Sequence, residues 1–272
     1  MIDINNNTMK FEYFGGYVTY DNIKIDGHLL QHIPKIYRNN NIILDAVKQN
    51  GFAIQYVNKD ELTEEIALEA VKQNGLCIQH IPKEFRTPNV IKAAIKNNVF
   101  AVKTPGIKNY ITSELAKEVV NKNGALLNYI PKNLITYELF FDAVKQNNSL
   151  IKKPHPTESW ALYLHDNIIP KNYYTEEIFI ESVHKCGSML EFIPNTLKTQ
   201  KIVDKAINHD GSALKFVPEE FMNMDVIKTA IKNYEKAIQQ VPSKFVTKEL
   251  IQYAIECHPN ASKYIPHKYK NL

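Results

Sequence analysis

Three cysteines and nine histidines are the side chains best suited to metal or nucleophilic chemistry. His184-Lys185-Cys186 and Cys257-His258 pair an imidazole with a thiol, and a zinc centre needs about four such ligands converging on one point. The two pairs lie about 72 residues apart, at equivalent places in a repeat, so stacking of repeats holds them apart. We therefore expect no metal centre and no cofactor. Paired carboxylates, Glu64-Glu65 and Glu176-Glu177, also recur at one repeat position. General acid and base work requires two carboxyl groups in differently tuned surroundings. A recurring pair beside a threonine suits a helix N-terminus instead. The chain has no Gly-rich phosphate loop, nucleophile elbow or zinc-protease signature. The expectation is a protein that is not an enzyme and takes no small-molecule substrate.

Lysine offers a different chemistry. The chain carries 33 Lys and Arg against 29 acidic residues, and only Arg38 and Arg86 are arginines. Lys48, Lys72, Lys96, Lys145 and Lys232 each follow the last apolar residue of a helical phrase. Lys35, Lys59, Lys83, Lys132 and Lys171 form a second row. Aligned rows of this kind suit phosphate contacts. Lysines at helix C-termini also simply favour the helix dipole. The segment 147–174 interrupts the pattern with Lys152, Lys153, His155, Trp160 and Tyr163. It reads either as an aromatic anchor for a protein partner or as a degenerate repeat whose only tryptophan fills the core.

These residues are positioned by a repeat. Gly27, Gly51, Gly75, Gly124, Gly187 and Gly211 open similar phrases, and Pro170, Pro194, Pro218, Pro242 and Pro266 follow at 24-residue steps. Pro34 and Pro82 are two steps apart, with Asn58 midway, and one extra residue falls between Pro82 and Pro131. Each period reads as two helices. In the longer one the apolar residues stand at i, i+1, i+4 and i+5, as in Ile66, Ala67, Ala70 and Val71, which is one helical face. Thr63, Thr112, Thr136, Thr175 and Thr247 are N-cap candidates. Asn50-Gly51, Asn74-Gly75 and Asp210-Gly211 suggest a left-handed glycine cap. The shorter helix is expected to bury Ala213, Leu214, Phe216 and Val217 and to stop before proline. Residues 10–20 alternate around Gly15-Gly16, a hairpin signal.

The phrase Ala-Val-Lys-Gln-Asn-Gly at 46–51 and 70–75, continuing to Tyr56 and His80, resembles the tandem repeat called domain of unknown function 4116, common in giant DNA viruses. The resemblance covers most of 26–266 and implies a repeat protein, with no catalytic or binding residues to carry over. The low arginine count and 28 asparagines fit an AT-rich genome.

The expected fold is all-α: a single continuous solenoid of about nine short 24-residue two-helix repeats with a small N-terminal β-hairpin cap. Its parts are the cap at 1–25, repeats at 26–146, the irregular segment at 147–174, and repeats at 175–272. The expected function is a non-enzymatic scaffold for protein–protein interaction, with RNA binding through the lysine rows as the alternative. No apolar run reaches the roughly 20 residues of a membrane helix, and the first residues lack a secretory leader's basic start and apolar stretch. Cytoplasmic residence follows, in the host cytoplasm or a viral factory if the source is viral.

Overall fold

A computed structural model describes residues 10–13, 16–146 and 169–269. The chain divides into two compact units, residues 1–134 and 135–272, and each is described by itself.

In the first unit, strands β1 (Phe11–Tyr13) and β2 (Gly16–Val18) pair antiparallel, with Phe11 opposite Val18. Gly16 takes a φ of +127°, a conformation glycine reaches without strain. The expected hairpin cap is therefore present, but it ends at Val18. Residues 20–25 are a short helix with a Thr19–Asn22 capping box, packed on the next helix through Tyr20 and Asp45 at 2.5 Å.

From there each repeat follows one plan. The described residues contain nine α-helices of ten residues, such as Glu64–Gln73 and Met224–Asn233. Their N-caps are Thr or Asn, whose side-chain oxygens accept the backbone N–H three residues on; Thr63 does so from Ile66 at 3.2 Å. The third, fourth, seventh and eighth helix residues form the buried face. Ile66, Ala67, Ala70 and Val71 are all at 0% exposure, as are Val90, Ile91, Ala94 and Ile95.

The shorter helix differs from expectation in kind. It is a six-residue 3-10 helix, as in Gly51–Tyr56, Gly75–His80 and Gly211–Phe216. A second, three-residue 3-10 turn follows the proline, as in Lys83–Phe85. At about 2.0 Å rise per residue, six 3-10 residues span about 12 Å. That matches the roughly 15 Å ten-residue α-helix better than six α-helical residues would. Its first, third and fourth residues are buried, including Gly211, Ala213 and Leu214; Phe216 is only half-buried.

The junction also differs. Asn50, Asn74 and Asp210 are extended, with φ −144°, −147° and −149°. Each ends the α-helix and caps the 3-10 helix at once; Asn50 Oδ1 accepts the Phe52 N–H at 3.0 Å. The glycines that follow are not left-handed: among the described glycines only Gly16 and Gly106 have positive φ. Gly106, φ +89°, lies in the turn between Lys103 and Lys108, where the single extra residue of the period is absorbed. No described helix is long and apolar enough to cross a membrane.

Candidate interaction surface

Neighbouring repeats are tied together by recurring polar contacts. The last residue of an α-helix reaches back one repeat at Gln49, Gln73, Asn97, Lys122, His209 and Asn233. Gly51 N–H donates to Gln73 Oε1 at 2.7 Å, while Gln73 Nε2 donates to the Gln49 carbonyl at 3.2 Å. Asn97 does the same for Gly75 N–H and the Lys72 carbonyl, both at 2.7 Å. His209 Nδ1 takes the Gly187 N–H at 3.3 Å. Recurring glutamates do similar work: Thr87 Oγ1 donates to Glu64 Oε1 at 2.6 Å, and Thr199 Oγ1 to Glu176 Oε1 at 2.5 Å. These glutamates tie one helix N-terminus to the next.

Both arginines share one repeat position with Lys198, the residue before the N-cap. Arg38 Nη1 donates to the Tyr56 carbonyl at 2.6 Å, and Lys198 Nζ donates to the Phe216 carbonyl at 2.8 Å, each eighteen residues on. Arg86 gathers the Gln79, Ile81 and Pro105 carbonyls. Burial holds the Arg86 and Lys198 pKa values below their usual ranges. These cations satisfy backbone carbonyls at the ends of 3-10 helices. Their signal in the sequence was the separation of Arg38 and Arg86 by two periods.

Candidate metal ligands are not brought together: no cluster of three His, Cys, Asp or Glu exists among the described residues. Cys186 contacts Ser188 at 3.1 Å, and His258 Nε2 lies 2.9 Å from the Ile231 carbonyl. Cys77 is fully buried. Trp160, Tyr163, Lys152, Lys153 and His155 lie outside the described residues.

Lys48, Lys72, Lys96, Lys145 and Lys232 are all exposed at helix C-termini. Lys72 pairs with Glu69 at 2.6 Å, and Lys145 Nζ lies 4.3 Å from the Phe141 ring centre. The second row is interleaved with acids. Lys35 pairs with Asp60 and Lys59 with Glu84, and Lys244, outside that row, pairs with Glu219, each across one repeat. The paired lysine holds each of these carboxyls below its usual pKa. The row is thus locally neutral at Lys35 and Lys59.

A different surface stands out in the first unit. The second, fifth and sixth residues of its 3-10 helices form one edge, with Gln31, Gln55, Gln79, His80, Phe100 and Tyr129 exposed and His28, Phe52, Tyr56 and Asn128 half-buried. It carries His28, Phe52, Phe100, Gln31, Gln55, Gln79, Asn128, Tyr56, His80 and Tyr129, with Lys103. Rings meet from repeat to repeat: His28 lies 6.0 Å from Tyr56, and Phe52 lies 5.7 Å from His80, both edge to face. Lys103 Nζ sits 5.1 Å from the Phe100 centroid and 5.6 Å from that of Tyr129. Phe100 and Tyr129 are 44% and 38% exposed. None of the five 3-10 segments on this edge contains Asp or Glu, whereas those of the second unit include Glu191 and Glu235. On the helix side the second unit has an open polar groove of about 520 Å³ lined by Gln200, Asp204, Asn208, Asn223, Asp225 and Thr229.

The family model described as Domain of unknown function (DUF4116) matches residues 21–62, 63–103, 175–222 and 199–246, more than half of the chain. The chain belongs to that family. Three of the DUF4116 matches begin at a helix N-cap, Thr63, Thr175 or Thr199, and the match at 63–103 spans two α-helices with their following 3-10 helices. The overlapping DUF4116 matches at 175–222 and 199–246 are offset by one period, so the structural unit is half the family unit. Neither curated proteins nor solved structures give a match.

Proposed function

We propose that the chain is a non-enzymatic repeat scaffold that holds an extended macromolecular partner along the 3-10 edge of its first unit. Protein and nucleic acid are the two partner classes at issue. The supporting observation is a division of labour between positions. Gly51, Ala70, Gln73, Glu64 and Arg86 are engaged in stacking, while the edge residues Phe100, Tyr129, Gln55 and Gln79 face solvent. A contact repeated at every period favours a partner that is itself extended. On the helix side of the first unit a groove beside Pro88, Tyr110 and Leu115 offers one exposed ring, Tyr110, and no ring contact that recurs from repeat to repeat among the described residues. The free Cys77, Cys186 and Cys257 suit a reducing compartment such as the cytoplasm or a viral factory.

The test is position-resolved crosslinking in lysate from the native source. A photoreactive residue at Gln55 or Gln79 should capture a specific partner, and one at Glu65, exposed in the first turn of an α-helix and away from its junction with the 3-10 segment, should not. Equal capture from both sides, or none from the edge, removes this reading.

A further inference from the structure

We propose that the 3-10 edge of the first unit binds single-stranded nucleic acid, taking bases between its rings and amides at a rate of about one per repeat. The inference rests on the scaffold reading and names its partner.

The chain holds 29 acidic residues, yet the 3-10 segments 27–32, 51–56, 75–80, 99–103 and 124–129 contain none. The adjoining turn row does carry Asp60 and Glu84, but each is paired with a lysine from the preceding repeat. Glu61, in the same row, is almost buried and faces Arg38. Asp26, exposed at the head of the first segment, caps the His28 N–H; beyond it the edge carries no unpaired carboxylate, which fits a polyanion. A peptide-binding edge has no such requirement.

Next comes the pairing of side chains. Gln55 precedes Tyr56, Gln79 precedes His80, Asn128 precedes Tyr129, and Gln31 precedes His32. A carboxamide presents donors and an acceptor in one plane, which matches the edge of an unpaired base. An aromatic neighbour supplies the stacking face. Helical-repeat proteins that read single-stranded RNA use this division, two or three side chains to a base. The rings run on between repeats, as the Phe52–His80 and Phe100–Lys103–Tyr129 contacts show.

Finally, Lys48, Lys72 and Lys96 stand at the α-helix C-termini that lead directly into three of these segments. They are placed to meet the backbone phosphates, with Lys72 shared with Glu69. The lysine row expected from the sequence thus takes a secondary part, and stacking carries the affinity. A duplex, whose bases are already stacked and paired, cannot use the edge.

The test is fluorescence anisotropy of the full chain with labelled homopolymer RNA of about ten nucleotides, matched DNA, and the corresponding duplexes. Single strands should bind at least tenfold more tightly than duplex. With three phosphate contacts, affinity should fall with salt at a log–log slope of only about −2. The double substitution of Phe100→Ala and Tyr129→Ala should weaken single-strand binding about tenfold or more with unchanged circular dichroism. Should that variant unfold, Gln55→Glu with Gln79→Glu places carboxylates on exposed positions at nearly constant shape and should abolish binding. RNA and DNA arms distinguish the two sources of the strand. Absence of saturable binding, equal affinity for duplex, or binding unchanged in both variants overturns the proposal. If a protein still crosslinks to Gln55 in that event, the scaffold reading stands and this one falls; if nothing does, both fall.

Discussion

Gly75 lies so close to Ala94 of the next repeat that a Cβ on the glycine would stand 2.1 Å from the Ala94 carbonyl oxygen. The same meeting recurs for Gly27 and Ala46 at 2.2 Å, Gly51 and Ala70 at 2.5 Å, and Gly211 and Ala230 at 2.2 Å. The obstacle is backbone, which no rotamer change relieves.

Gly75→Ala should therefore force two repeats apart and cost about 3 kcal/mol, at the upper end of overpacking effects. Gly106→Ala should cost only about 1 kcal/mol, the strain of a left-handed non-glycine residue, because nothing lies within 4 Å of its Cβ position. Urea midpoints of the two variants check the order. Equal losses would refute the close-approach account.

Arg86 donates to three carbonyls through Nε, Nη1 and Nη2, at 2.7, 2.9 and 3.3 Å. Arg86→Ala should destabilise by about 2–3 kcal/mol, since the carbonyls lose a charged donor. Arg86→Lys should recover part of this, as Lys198 serves a single carbonyl at the equivalent position. Equilibrium unfolding of the pair measures the difference. A Lys variant no better than Ala would show that the bonds contribute little.

Cys77 is fully buried, and burial pushes its thiol from 9.0 up to about 12. In the unfolded chain the thiol ionises near its ordinary value, so the stability it confers is complete below pH 9 and is lost as pH rises toward 12. The slope approaches about 1.4 kcal/mol per pH unit. Tyr174, also raised to about 12 by burial from 10.0, adds to the loss only above pH 10. Between pH 9 and 10, Cys77→Ala should flatten the decline; alanine already occupies this position at Ala53 and Ala213. A thiol reagent at pH 8 should modify Cys186 and Cys257 quickly and Cys77 only on unfolding.

The amount legible in the sequence differs from element to element. The i, i+1, i+4, i+5 spacing of Val226, Ile227, Ala230 and Ile231 specified a buried helical face, and all four are buried. The alternation around Gly15-Gly16 located the hairpin. The helical type of Gly51–Tyr56 was not legible, because six residues make too few turns to separate a period of 3.0 from one of 3.6. The Asn-Gly junction resembled a left-handed cap, yet the asparagine side chain and the next repeat's carbonyl define it. Lys35 and Lys59 of the second row looked like free charge, since their carboxylate partners Asp60 and Glu84 stand 25 residues away in the chain.

The sequence by itself determined the period, the apolar faces and the places where helices begin, because these depend on residues within a turn or two of one another. Only the tertiary structure decided why Gly75 must be glycine, which carbonyls Arg38 and Arg86 satisfy, and which edge is left free of carboxylate. Those properties arise when one repeat meets the next at contact distance, and the period alone does not encode that distance.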